Sequence, residues 1–168
     1  SNTSFDASGK YYTAGHELSA AVDIFHNGYN YYGYDHDSFD IAKGSVKQAF
    51  TGGNIKVGAA NTTANRWNVW YKPTLTFGMY SDKYNAQERT FAFDIPASVA
   101  IDSTLSFSLG IKGNFTQFKN DVAEIGNNYF QVNPAMDLSF EKTLIHIGLS
   151  PTWGMDNTCY LLPDLSLN

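Results

Sequence analysis

The sequence predicts an all-β fold, an antiparallel meander of about eight or nine strands, and three observations support this prediction. Apolar and polar residues alternate with a period of two over most of residues 67–168, which places them on opposite faces of extended strands. The regular stretches run for about 11–14 residues, whereas strands of soluble proteins usually have about 5–6. Charged residues make up only 16% of the chain, while Phe and Tyr number 12 and 11, a composition typical of β-rich proteins.

Length, charge and cysteine content exclude several classes of protein. The 168 residues suit one domain. A single cysteine, Cys159, excludes an internal disulfide framework and a multi-cysteine zinc site. With 11 Lys and Arg and a net charge of −5, the chain is a poor partner for nucleic acid. No apolar stretch reaches the roughly 18 residues of a membrane-spanning helix.

We divide the chain into a flexible N-terminal segment, residues 1–15, and a single β domain, residues 16–168. The first segment is polar and has no apolar run. Weaker strand patterns occupy residues 16–27, 39–41 and 54–60. Because the chain stops within a strand pattern, we expect a truncated C-terminus and a fragment of a longer protein.

The strongest alternation lies in six stretches of the second half of the chain. Each has apolar residues on one side and mainly Ser, Thr, Asn or charged residues on the other. Short polar turns are predicted at residues 102–104 and 141–143, and long polar loops at residues 81–89 and 117–128. The six stretches are residues 67–80, 90–101, 105–115, 129–141, 145–153 and 159–167.

Alternation alone does not say which solvent the apolar side meets. In a soluble β-sandwich or small barrel, that side packs inside the protein; in an outer-membrane β-barrel it contacts lipid, and the polar side faces the interior. Long strands, a small and mostly uncharged polar side, and aromatic residues near strand ends favour the membrane barrel. Five prolines within strand patterns argue against it, because proline donates no ladder hydrogen bond. We expect the membrane barrel, with the soluble β-sandwich or small barrel as the alternative.

The proline-containing segments at residues 71–77, 132–138, 149–154 and 160–164 resemble those of Gram-negative outer-membrane β-barrel proteins of the Bacteroidetes type. The resemblance covers the region of residues 67–168 and rests on no diagnostic motif. It implies a barrel in the outer membrane, as part of a longer receptor-like or porin-like chain. It assigns no functional residue.

The acidic cluster of Asp35, His36, Asp37 and Asp40 contains the densest set of metal-ligand types. Adjacent residues of an extended chain point apart, so we favour a solvated loop and predict no metal site. No glycine-rich phosphate loop, H-E-x-x-H or paired-cysteine motif occurs, and we predict no cofactor.

His146 lies in the polar register, with Asp137 one short turn away and Ser139 and Ser150 on the same side. A Ser-His-Asp set performs acyl hydrolysis when the three side chains are hydrogen-bonded to one another. The chain has no G-x-S-x-G nucleophile motif. We therefore interpret His146 as a hydrogen-bonded lumen or surface residue and predict no catalytic residue.

The other candidate residues also lie in the polar register, with one exception. Charged residues there would fill a narrow barrel or line the pore of a wide one. Trp70 and Tyr80 place aromatic rings on the polar side, where they could stack on sugars, and Trp153 is a third candidate for ligand binding. The tyrosines at 29, 31, 32 and 34 form another candidate recognition surface. The predicted polar-face or lumen residues are Lys72, Asp94, Lys112, Asp137, His146 and Asp164.

Three functions follow from these patterns. We expect a non-enzymatic outer-membrane barrel in the cell envelope, in contact with the lipid bilayer and serving in solute passage, receptor function or surface anchoring. The alternative is a periplasmic or secreted β-sandwich that binds carbohydrate through Trp70, Tyr80 or Trp153. The third is an acyl hydrolase built around His146. The expected ligand is a small solute or a glycan, and no nucleic acid.

Overall fold

The computed structural model describes residues 2–30, 47–156 and 158–167, and within these ranges the chain forms one antiparallel sheet. No helix that could cross a membrane occurs in these residues. The ten strands, numbered in chain order, are β1 (Asn2–Thr13), β2 (His16–Asn30), β3 (Lys47–Asn61), β4 (Val69–Tyr71), β5 (Thr74–Asp82), β6 (Gln87–Ala100), β7 (Leu105–Lys119), β8 (Glu124–Phe140), β9 (Thr143–Trp153) and β10 (Cys159–Leu167).

Strands that are neighbours in the chain are also neighbours in the sheet. The order is β1-β2-β3-β5-β6-β7-β8-β9-β10, and β4 also pairs with β6. β4 and β5 are two parts of one interrupted strand, because both follow the same register on β6: Tyr71 lies opposite Ala97 and Thr74 opposite Asp94. The predicted antiparallel meander is therefore confirmed.

The N-terminal segment differs from the sequence expectation of a flexible tail. β1 pairs with β2 along its whole length, from Asn2 opposite Asn27 to Thr13 opposite His16. Its residues are exposed and mostly polar, so the sequence has no alternation of apolar and polar residues there that would predict a strand. The backbone ladder to β2 holds it, and a ladder of this kind needs no particular side chains.

The prediction of two long polar loops, after β5 and after β7, is wrong, because tight turns occupy residues 83–86 and 120–123. Asp82 Oδ1 accepts hydrogen bonds from two backbone N–H groups of the first turn, at 2.7 and 2.9 Å. Asn120 Oδ1 does the same in the second, at 2.9 and 2.7 Å. The polar residues on either side of each turn are still paired between neighbouring strands, because strand pairing extends beyond the apolar residues of each strand.

At the opposite end of the sheet, Asp102 shapes the short turn between β6 and β7. Its Oδ1 accepts hydrogen bonds from the backbone N–H groups of Thr104 and Leu105, at 2.7 and 2.8 Å. These two bonds hold the pKa of Asp102 below its usual value, because they stabilise the charged carboxylate.

The described residues form a single layer with no hydrophobic core. No apolar side chain among them is buried. A β-sandwich requires a second sheet packed on the apolar face, and the described residues form no second sheet that covers this one. The soluble β-sandwich alternative is therefore not the observed architecture.

The apolar side of the sheet is more exposed than the polar side, which is the reverse of the arrangement in a soluble protein. On β7, the apolar Phe107 and Leu109 are 43% and 45% exposed, whereas Ser108 between them is half-buried on the other side. The pattern repeats along β5, where Phe77 and Met79 are exposed and Gly78 is buried. The polar face is thus the more sheltered one.

Strand register collects the apolar residues into rows on one face. One row runs across five strands, through Val22, Ile55, Phe77, Phe91 and Phe115. We call this side the apolar face and the opposite side the polar face. A slip of one residue in any pair would mix the two faces, so the continuous rows show that the alternation in the sequence is expressed in the sheet.

Prolines coincide with two interruptions of the ladder. β4 ends and β5 begins on either side of Pro73. The β8–β9 ladder is open over residues 132–134 and 149–151, and Pro134 and Pro151 lie in these stretches. A proline cannot donate its share of the ladder hydrogen bonds. The register continues on both sides of each interruption, so the sheet tolerates these residues locally.

Gly53 on the apolar face should be sensitive to a single added methyl group. A Cβ at this position would lie 2.6 Å from the backbone carbonyl oxygen of Asp23, which cannot rotate away. We expect Gly53→Ala to lower the free energy of unfolding by about 1–3 kcal/mol, as measured by urea unfolding of the folded protein in lipid vesicles. Gly9→Ala is the control, because a Cβ there meets nothing within 4 Å. Equal effects of the two substitutions would contradict the observed packing.

Candidate functional site

The polar face carries all six charged or titratable residues that the sequence places there. Cross-strand register puts Asp94 opposite Lys112 and Asp137 opposite His146. Asp164 lies on the same side of β10, and Lys72 lies at the interruption between β4 and β5. The six residues do not form one cluster: five of them form two separate groups, and Lys72 lies apart from both, near Glu17.

The first group is centred on His146. Its Nδ1 lies 2.6 Å from Asp137 Oδ1, and its Nε2 lies 3.6 Å from Asp164 Oδ2. Both ring nitrogens therefore face carboxylates. In a Ser-His-Asp set, one nitrogen faces the carboxylate and the other faces the serine hydroxyl. The geometry of His146 does not match that arrangement, since neither Ser139 nor Ser150 is hydrogen-bonded to the imidazole.

The second group is the ion pair of Lys112 and Asp94, with Nζ and Oδ2 separated by 3.8 Å. Both side chains are 45% exposed, so water screens the pair and its contribution to stability is small. Asp94 Oδ1 is buried and has no hydrogen-bond partner among the described residues. The pair places opposite charges in the middle of the polar face.

The three aromatic candidates do not form one binding site. Trp70 and Tyr80 both lie on the polar face, but at opposite ends of the interrupted strand formed by β4 and β5. Trp153 lies opposite Phe130 on the apolar face, with the two ring centroids 5.8 Å apart. Tyr80 belongs to a larger aromatic cluster on the polar face.

This cluster consists of Phe25, Tyr29, Phe50 and Tyr80, which we call the aromatic run. Successive ring centroids are separated by 6.3 Å between Phe25 and Tyr80, 5.6 Å between Tyr80 and Phe50, and 5.3 Å between Phe50 and Tyr29. Gly52 separates Phe25 from Tyr80 in the register. A Cβ on Gly52 would lie 2.8 Å from Phe25 Cζ, so this glycine makes room for the ring.

A cavity of about 290 Å³ lies next to the aromatic run. On the polar face its wall is formed by the rings of Phe25 and Tyr80, with polar side chains around them. Its floor is the buried Gly78, where a Cβ would lie 2.5 Å from Asn54 Oδ1. The polar side chains of this wall are Asn54, Glu88 and Thr90.

The hydrogen bonds of the cavity leave several polar atoms available to a ligand. Asn54 Nδ2 donates to Asp23 Oδ1 at 2.8 Å, which fixes the orientation of the amide and turns its oxygen toward Gly78. Thr90 Oγ1 lies 3.1 Å from Thr116 Oγ1. Glu88 is exposed and forms no ion pair or hydrogen bond within the described part of the chain. Carboxylate, amide and hydroxyl groups therefore border two aromatic rings.

The sequence analysis predicts Tyr80 as a ligand-binding residue but not Phe25 or Phe50. Both phenylalanines could have been recognised as candidates, because each is an aromatic residue in the polar register of its strand, as Tyr80 is. What the sequence lacks is any local sign that residues 25, 50 and 80 become neighbours. The metal-ligand cluster at Asp35–Asp40 and three of the four tyrosines predicted as a recognition surface lie outside the described residues.

No protein-family model and no curated protein matches the sequence. Among solved structures, the chain is similar to OmpT, an outer membrane protein of Vibrio cholerae folded in vitro and determined in its trimer form, with a TM-score of 0.63. Sequence identity is 9%, and the match covers 99% of this chain and 53% of that chain. The chain thus spans about half the length of the structure that it matches. At this identity the likeness shows the fold alone, that of an outer-membrane β-barrel protein; the Bacteroidetes-type resemblance stays a prediction.

The two carboxylates beside His146 should differ in their contributions to stability. Asp137 is hydrogen-bonded to the ring at 2.6 Å and is 31% exposed, whereas Asp164 stands 3.6 Å away and is 65% exposed. We expect Asp137→Ala to lower the free energy of unfolding by about 1 kcal/mol and Asp164→Ala to leave it nearly unchanged. Urea titrations at pH 7 in lipid vesicles measure both values, and the reverse order would show that the short contact is not the stabilising one.

Proposed function

We propose that the chain is part of a bacterial outer-membrane β-barrel whose polar face lines a water-filled passage for small polar solutes. The observation that carries this proposal is the pair of faces, one apolar and exposed, the other polar and sheltered. An exposed apolar face requires an apolar environment, and a lipid bilayer supplies one. The apolar residues of β6 from Phe91 to Val99 span nine residues, which agrees with the roughly 9–11 residues of a tilted transmembrane strand.

A wide interior is supported by the open strand order of the sheet, in which β1 does not pair with β10. Barrels of about eight strands close around an interior that side chains fill, whereas barrels of about 16–18 strands leave an aqueous channel. In the described residues, β1 and β10 remain at opposite edges after nine strand positions. The opposite charges of Asp94 and Lys112 then face water in the passage.

We also propose that the protein is not an enzyme. The histidine with the strongest resemblance to a catalytic group has carboxylates at both ring nitrogens. Among the described residues it therefore has no serine neighbour of the kind that a hydrolytic set needs. A structural role of His146 on the polar face accounts for these contacts.

Arginine substitutions on adjacent residues of β7 test which face meets lipid. Leu109 lies on the apolar face and Ser108 on the polar face. We expect Leu109→Arg to destabilise the protein in lipid vesicles by on the order of 2 kcal/mol, because the charge enters the apolar band. Ser108→Arg should have a much smaller effect, since its side chain points into water. Equal destabilisation by both variants, measured by urea unfolding in the same vesicles, would refute the assignment of the faces.

Electrical recording in planar bilayers tests the passage itself. We expect the full-length protein to form open channels and Lys112→Glu to shift their reversal potential toward cation preference, because the substitution changes the charge of the lining. Lys119→Glu is the control, since Lys119 lies on the apolar side of β7, paired at 3.6 Å with Glu124. The absence of channels, or equal shifts from both variants, would argue against the proposal.

A further inference from the structure

We propose that the cavity beside the aromatic run binds a neutral oligosaccharide, so that sugars are among the solutes of the passage. The inference rests on the proposed function for its place in the barrel. The binding site itself is defined by the contacts of the described residues alone. It deepens the function by naming the class of ligand.

The aromatic rings supply the surface for the apolar side of a sugar. A sugar ring has an apolar face of C–H groups that packs on aromatic rings. Phe25 and Tyr80 are half-buried and held by their neighbours, with their centroids 6.3 Å apart. The run continues from Tyr80 through Phe50 to Tyr29, so the surface is long enough for more than one sugar ring. This continuity favours an oligosaccharide over a single sugar.

The polar wall supplies hydrogen bonds for the hydroxyl groups. The Glu88 carboxylate can accept two hydroxyl protons, and the Asn54 oxygen can accept another. The Thr90 oxygen can accept one as well, because its own proton goes to Thr116 Oγ1, which donates to Asn114 Oδ1. A ligand site usually combines an apolar surface with a few fixed polar groups of this kind. The volume of about 290 Å³ is close to the lower end of the usual range for small-molecule sites, about 300–1,000 Å³.

The arrangement favours a neutral sugar over an organic cation. An ammonium group would need unpaired carboxylates beside the rings. Asp23 is hydrogen-bonded to Asn54, and Asp82 accepts two backbone N–H groups. Both of these lie outside the wall of the cavity. Glu88 is the carboxylate of the wall itself and is exposed to water, which weakens its attraction for a cation.

Isothermal titration calorimetry on the folded, detergent-solubilised protein tests the site. The probes are maltohexaose, cellohexaose and xylohexaose, with choline as the cation. We expect at least one hexasaccharide to bind and Tyr80→Leu to weaken its binding by about tenfold or more. Phe77→Leu, three residues away on the apolar face of β5, should leave the affinity unchanged.

A second variant keeps the test decisive if the Tyr80 substitution impairs folding. Glu88→Gln removes the charge but keeps the shape of an exposed side chain, and we expect it to weaken sugar binding by about tenfold. The inference is overturned if none of the hexasaccharides binds, if choline alone binds, or if neither Tyr80→Leu nor Glu88→Gln changes the affinity.

Channel recordings separate the two proposals. Sugar binding without channels would overturn the passage and leave the site, whereas channels without sugar binding would overturn the site alone.

Discussion

The antiparallel ladder is the constraint on which the rest of this structure depends. Each strand alternates between two faces, and only pairing without a one-residue slip brings the apolar sides of all strands together. The row from Val22 to Phe115 crosses five strands without such a slip. Prolines interrupt the ladder at Pro73 and around Pro134 and Pro151, but the register resumes beyond each of them. Local breaks are therefore compatible with a face that is continuous across the sheet.

Glycines on the two faces are used in opposite ways. On the apolar face, the ring of Phe93 covers Gly113, where a Cβ would lie 2.5 Å from the ring, and the space is filled. On the polar face, Gly78 forms the floor of an open cavity that is lined by Phe25 and Tyr80. The difference follows from the neighbours. Phe93 comes from the adjacent strand and lies directly opposite Gly113, whereas the rings of Phe25 and Tyr80 beside Gly78 contact each other at an interplanar angle of 42°.

The polar face has two chemically distinct regions. Toward the turn between β8 and β9, His146 and its carboxylates form a hydrogen-bonded, ionic group. Toward the turn between β5 and β6, the aromatic run and the cavity dominate. One region provides charge and the other provides apolar contact with fixed hydrogen-bond partners, so a passage lined by this face would offer solutes both kinds of interaction.

The sequence by itself determined the all-β class, the antiparallel order and the membership of each face, because strand periodicity is a local property that survives folding. It placed Asp137 and His146 together because one short turn joins their strands. It did not reveal β1, which has no alternation, or the tight turns after β5 and β7, whose flanks are polar. Only the tertiary structure decided that the described residues form a single layer with an exposed apolar face and that Phe25 and Tyr80 meet across Gly52. Such neighbours depend on the register of several strands, and no short segment of sequence contains that information.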